Sequence, residues 1–144
     1  VLSWKTRLAQ IKRVRAGESV GYGLSERVSQ DSTIAILPVG YYDGYDRKLS
    51  SVGNVLVHGQ RCKIIGRIHM NMCMANITHV PEARLEDEVV LIGEQAAIDS
   101  HSSVAAGFSP RLERVTAEEL AQKIGTINYE VVARINPLLP RIVL

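Results

Sequence analysis

The run Ser32-Thr33-Ile34-Ala35-Ile36-Leu37-Pro38-Val39 constrains the fold more than any other stretch of the chain. It is β-rich and almost wholly apolar. A strand with one wet face alternates apolar and polar residues. A run without that alternation is buried on both faces or lies in the wall of a closed barrel. Pro38 has no N–H to give to a ladder, so the strand ends or bulges there.

Further short strands surround this run in the sequence. Leu2, Trp4 and Leu8 alternate with Ser3, Lys5 and Arg7 at a period of two. The phase slips near Ala9 and Gln10 before Ile11 and Val14, which predicts a bulge or bend. Ala16-Gly17-Glu18-Ser19 has turn chemistry. Val55-Leu56-Val57-His58 and Cys62-Lys63-Ile64-Ile65 flank Gly59-Gln60-Arg61, a hairpin signal. Residues 68, 70, 72 and 74 are all apolar, which predicts a strand with Met70, Met72 and Met74 on one face. Pro81 opens a loop, Glu88 to Gly93 reads as a strand, and 96–110 reads as a surface loop.

The helical signals come last. Thr116 with Glu119 three residues on is a capping box, and Leu120 and Ile124 fall on one helical face. Asn128 to Ala133 reads as a second short helix, ended by Pro137 and Pro140, and Arg141 to Leu144 as a final strand. Six or more short strands followed by one or two helices predict a mainly β barrel or sandwich with helical trim, a single domain over residues 1–144.

Composition narrows the function classes. Hydrophobic residues make up 46% and charged residues 22%, the balance of a soluble globular domain. A net charge of +2 is too small to argue for nucleic acid or a membrane surface. No apolar run is long enough to cross a bilayer, and the start is unlike a signal peptide. The chain begins in strand-like sequence without a methionine, so it is expected to be a piece of a longer protein. Cys62 and Cys73 lack zinc-like pairing and read as reduced, buried thiols of an intracellular domain. The histidines at 58, 69, 79 and 101 are scattered, so no metal site is expected. No phosphate loop, dinucleotide fingerprint or serine elbow occurs.

Five tyrosines against one phenylalanine and one tryptophan suggest phenols used for their oxygen. Tyr22 lies between glycines in Val20-Gly21-Tyr22-Gly23, where a side chain can approach another molecule closely. The plainer alternative is tyrosines half buried at turn edges. The long stretch from Gly40 to Gly53 carries Asp43 and Asp46, either acid and base or caps of turns. Arg47 and Arg67 are candidate anion forks or simple surface charges.

Five stretches in register carry a resemblance. They are Trp4-Lys5-Thr6 with Val20-Gly21-Tyr22-Gly23; Gly40-Tyr41-Tyr42-Asp43-Gly44-Tyr45-Asp46-Arg47; Gly66-Arg67-Ile68-His69-Met70-Asn71; Gly125-Thr126-Ile127-Asn128-Tyr129-Glu130; and Pro140-Arg141. From end to end the chain resembles the C-terminal domain of bacterial alanine racemases. The resemblance implies a Greek-key β-barrel that follows an N-terminal (β/α)8 barrel, and a pyridoxal 5′-phosphate cofactor whose lysine lies in that first barrel. It implies a cytoplasmic head-to-tail homodimer that interconverts L- and D-alanine for peptidoglycan precursors. Each active site joins one subunit's barrel to the other's C-terminal domain, with no nucleic acid or membrane partner.

By the same resemblance, Tyr22 is the catalytic base for one face of the substrate. Met70 offers its backbone N–H to the substrate carboxylate. Tyr129 contacts the cofactor phosphate, and Tyr41, Arg47 and Arg67 line the entrance. The sequence departs from the family pattern at Asn71, where many members carry aspartate, at Tyr42, and in a longer connection from 96 to 113. A racemase of serine or broader specificity is therefore an alternative. A non-catalytic β-barrel binding module is the rival from another class; it would need aromatics on one strand face among basic residues. A decarboxylase of the same two-domain plan is an enzyme rival, disfavoured because its cysteine-bearing motif has no counterpart at Cys62 or Cys73.

Overall fold

A computed structural model describes residues 2–21, 23–97 and 110–143. It contains β1 (Trp4–Arg7), β2 (Gln10–Val14), β3 (Ser19–Val20), β4 (Glu26–Arg27), β5 (Ser32–Leu37), β6 (Asn54–Val57), β7 (Gln60–Lys63), β8 (Cys73–Asn76), β9 (Glu88–Ala96) and β10 (Leu112–Val115). Two helices follow, α1 (Ala117–Ile124) and α2 (Asn128–Ala133). The fold is mainly β with short C-terminal helices, as the sequence predicts.

Every ladder is antiparallel. One sheet runs β1-β9-β6-β7 with β10 also on β9; a second runs β2-β5-β8; β3 and β4 form a small hairpin. The first two sheets join at both ends. The phase slip at residues 8 and 9 is one join. Leu8 donates its N–H to Asp87 beside β9, and Ala9 donates to Ile36 of β5. Consecutive residues thus bond to different sheets, and β1 and β2 are halves of one bent strand. At the other join, Ile64 bridges Ala75 and Ile65 donates to Met74. The circuit β1-β9-β6-β7-β8-β5-β2 closes into a barrel, in which most neighbours are non-consecutive in sequence, as in Greek-key connections.

β5 sits where its composition requires. It is paired on both edges, with Ser32, Ile34, Ala35 and Leu37 buried. The ladder stops at Leu37, before Pro38. The main core collects Leu8, Leu37, Leu56, Ile64 and Leu91 with Leu120 and Ile124 from α1, all buried. Each such side chain contributes roughly 1.5–3 kcal/mol on leaving water. A smaller cluster of Val20, Val28, Ile34 and Ile65 sits under the β3–β4 hairpin, with Met74 packed against it.

Three local expectations are corrected, and one strand appears where none was expected. The apolar alternation at 68–74 does not mark the inward face: β8 begins only at Cys73, and Cys73, Ala75 and Ile77 point into the core. Met74 packs on the outer cluster instead. The β6–β7 turn is His58-Gly59, both at positive φ (50° and 69°), so Gln60 and Arg61 already belong to β7. Two left-handed residues in succession match the twist of the hairpin. Part of the expected 96–110 loop lies outside the described residues, but Leu112–Val115 just beyond it pairs with β9. Residues 141–143 are exposed and form no strand.

α1 is capped as expected at Thr116, whose Oγ1 accepts the Glu119 N–H at 3.1 Å. The other half of the box is diverted. The Glu119 carboxylate binds the Arg61 guanidinium at 2.7 Å and fastens the helix to β7.

Candidate active site

Three irregular segments build the site. In the first, the chain leaves β5 and enters a 3-10 turn at Tyr41–Asp43. Gly40 donates its N–H to Asp43 Oδ2 at 2.9 Å, while Tyr41 and Tyr42 donate theirs to the carbonyls of His69 and Met70 at 3.1 and 2.9 Å. A Cβ on Gly40 would lie 2.2 Å from the His69 oxygen, so only glycine allows this approach. The long stretch from Gly40 to Gly53 is therefore folded rather than open. Its second 3-10 turn, Arg47–Leu49, is capped by Asp46, which accepts the Lys48 N–H at 2.8 Å. Leu49 is buried and anchors the turn that carries Arg47. Asp43 and Asp46 thus serve as caps, the second of the two roles open to them.

The second segment is Gly66 to Met70. His69 donates to Met72 at 2.9 Å, which makes a tight turn with Met70 and Asn71 at its tip. Ile68 is buried beneath. Met70 is 52% exposed; its carbonyl is taken by Tyr42, and its N–H meets no acceptor among the described residues.

Tyr41, Arg47, Arg67, Ile68, His69 and Met70 line one hollow of about 240 Å³. Four residues singled out from the sequence therefore converge. Two guanidinium-bearing side chains beside an open backbone donor suit a carboxylate.

The third segment is the tip of the β3–β4 hairpin. Tyr22 lies outside the described residues. Its neighbours Gly21, Gly23 and Leu24 have φ of 86°, 70° and 53°. Gly21 rests against Gly66, and Ser25 Oγ accepts the Arg67 N–H at 3.3 Å. Tyr129 stands elsewhere: it is 76% exposed on α2 and does not line the hollow. α2 is nevertheless tied to the first segment. Arg134 reaches both Asp46 and Glu130, and Asn136 donates its N–H to Asp43 at 2.9 Å.

Other candidate groups are occupied or inert. Cys62 and Cys73 are buried, and burial pushes both thiols up to about 12. Lys5, Lys12, Lys48, Lys63 and Lys123 are all exposed. Among the described residues no three His, Cys, Asp or Glu side chains converge to hold a metal. No described helix is long and apolar enough to cross a membrane.

The family model described as "Alanine racemase, C-terminal domain" matches residues 1–109. The chain belongs to that family. It is 43% identical over 143 residues to the alanine racemase of Leptospira interrogans, covering 99% of this chain and 33% of the relative. It superposes on the alanine racemase of Oenococcus oeni with a TM-score of 0.80 at 27% identity, covering 99% of this chain and 34% of that one. The alanine racemase of Bartonella henselae, solved with covalently bound pyridoxal phosphate, gives a TM-score of 0.73 at 25% identity over 92% of this chain and 32% of that one. The chain thus spans about a third of the length of the relatives it matches. The helices α1 and α2 lie beyond the family model's match but within the alignment to the Leptospira enzyme.

Sequence reasoning missed Ser25, Glu26 and Ser50, whose oxygens hold the Gly66–Ile68 backbone. Short polar residues beside turns give no periodic signal. Only the fold brings them together.

Proposed function

We propose that this domain, residues 1–144, supplies part of a composite active site in a pyridoxal-phosphate-dependent alanine racemase. The carrying observation is the convergence of Tyr41, Arg47, Arg67 and Met70 on one hollow, with the Met70 N–H lacking an acceptor among the described residues. In this reading the Met70 N–H binds the substrate carboxylate, and Arg47 and Arg67 draw that anion inward. Tyr41 narrows the entrance.

The donor set fits the cofactor as far as this chain reaches. Tyr129 presents an exposed side chain on α2, able to meet a phosphate, and the cofactor-bearing lysine is assigned to an N-terminal (β/α)8 barrel. When bound, the cofactor supplies an electron sink that acidifies the substrate Cα–H. Tyr22 takes or returns the proton on one face. An unperturbed phenol, with a pKa of about 10, is a weak base near neutrality, so its phenolate needs positive charge or hydrogen bonds close by.

The barrel that completes each site belongs to a second subunit of a head-to-tail homodimer, working in the cytoplasm and supplying D-alanine for peptidoglycan. Serine or a broader amino-acid range is the second reading, favoured by Asn71, which puts a neutral amide where many members carry a carboxylate.

Tyr22→Ala in the full-length enzyme tests this. It should slow removal of the α-proton from L-alanine at least about a hundredfold, the scale of a lost general base, and that from D-alanine far less. Equal losses from both enantiomers would count against the assigned role.

A further inference from the structure

We propose that Glu26 is a positioning residue that holds the Gly66–Met70 segment in the register that receives a carboxylate. The proposal rests on the functional reading above.

The segment has given up its ladder. Ile65 still donates its N–H to Met74, and His69 donates to Met72. Between them, three successive amides go to side chains from other elements. Gly66 donates to Glu26 Oε2 at 2.7 Å, Arg67 to Ser25 Oγ at 3.3 Å, and Ile68 to Ser50 Oγ at 2.9 Å. The next amide but one, Met70, is the open donor. Its placement depends on how those three are held.

Glu26 is the charged member of the set, and hydrogen bonds to a charged acceptor are about twice as strong as neutral ones. The same Oε2 also accepts the Ser51 hydroxyl, and Ser51 holds a φ of 59°. That left-handed conformation is costly for a residue with a Cβ. One carboxylate oxygen therefore joins the β3–β4 hairpin, the start of the donor segment and the end of the turn that carries Arg47. Ser50 reinforces the last junction by donating to the Arg47 carbonyl while accepting from Ile68. The Glu26 side chain is only 26% exposed, and Lys63 is its nearest cation at 3.9 Å. Glu26 does not line the hollow. It acts through the backbone of residues 66 to 70.

The test uses the full-length, cofactor-loaded enzyme with Glu26→Ala and Glu26→Gln. KM and kcat for L-alanine, the Ki of propionate as a bare carboxylate, and hydrogen exchange of a peptide spanning 64–70 are measured. Glu26→Ala is expected to raise KM and the propionate Ki about tenfold or more, the scale of a misplaced binding group, with kcat within about threefold. Exchange in 64–70 should quicken while β5 stays protected. Glu26→Gln keeps an oxygen that accepts both bonds but loses the charge, so its constants should fall between those of wild type and Glu26→Ala. Unchanged KM and Ki in Glu26→Ala would overturn the proposal, as would a Gln variant as impaired as the Ala variant. If Glu26→Ala does not fold, Glu26→Asp, which withdraws the oxygen by one methylene, should raise both constants in the same direction; wild-type values there would be equally fatal. A wild type that does not turn over alanine sinks the functional reading instead, and propionate binding and exchange still decide the role of Glu26.

Discussion

Gly21 and Gly66 meet backbone to backbone. A Cβ on Gly66 would lie 3.1 Å from the Gly21 Cα, and one on Gly21 would lie 3.2 Å from the Gly66 Cα. Both residues also have positive φ, 86° and 70°. This contact sets the hairpin that carries Tyr22 against the segment that carries Arg67 and Met70. Gly66→Ala should therefore cost about 1–2 kcal/mol in backbone strain alone. It should also force the two segments apart, lowering kcat/KM beyond what the lost stability explains. Thermal unfolding and steady-state kinetics on the same preparation check this. A variant with wild-type kcat/KM would show that the contact is not needed for the site.

Tyr45 is fully buried, stands edge-on to Trp4 with ring centroids 6.0 Å apart, and has no partner for its hydroxyl among the described residues. Burial pushes its phenol well above the ordinary value, so the group stays neutral. Removing an unsatisfied buried hydroxyl relieves a desolvation cost. Tyr45→Phe should raise stability by about 1 kcal/mol. A fall in the denaturant midpoint would mean that the hydroxyl is satisfied in solution.

Thr116 caps α1, and α1 places Leu120 and Ile124 in the core. Thr116→Ala should destabilise the domain by about 1 kcal/mol. Thr116→Ser, which keeps the acceptor, should recover most of that. Chemical denaturation of the three proteins separates the cap from the methyl.

Asp87 shows how pH should act. Burial alone would raise its carboxyl, but the Arg84 N–H and the His58 ring, each 2.7 Å away, outweigh burial and hold it below the usual range. A carboxyl with a depressed folded value stabilises the fold above its unfolded value and loses that contribution as pH falls through the folded one. The melting temperature should thus decline below about pH 4. Asp87→Asn should lower it at neutral pH and flatten that decline. An acid limb of undiminished steepness in the variant would assign the effect to other groups.

Much of the barrel is legible in the residues because burial writes itself into side-chain type. The apolar run of β5, the slip at Ala9 and the periodicity of α1 each follow from where water is excluded. The errors have physical causes too. At 68–74 the apolar spacing does not belong to one face: Ile68 lies in the main core, Met70 is exposed at a turn and Met74 packs on the hairpin cluster, so hydrophobicity alone does not reveal which side is inside. Leu112-Glu113-Arg114-Val115 carries too little apolar character to announce a strand; its partner β9 defines it. At the site, Tyr41, Arg47, Arg67 and Met70 are visible as residue types within recognisable stretches, yet their convergence on one hollow is a property of the topology. Glu26 gives no advance sign, because its role lies in which amides it reaches.

The two joins of the barrel wall are unequal. On one side the peptide chain itself crosses from sheet to sheet at Leu8 and Ala9, and no fluctuation short of unfolding can part it. On the other, a lone bridge between Ile64 and Ala75, with one further bond from Ile65, holds the edges together. Residues Gly66 to Met70 begin where that thinner seam ends. Rearrangement of those residues can therefore draw on the give of a lightly stitched edge, while the welded side and the packed interior keep their shape.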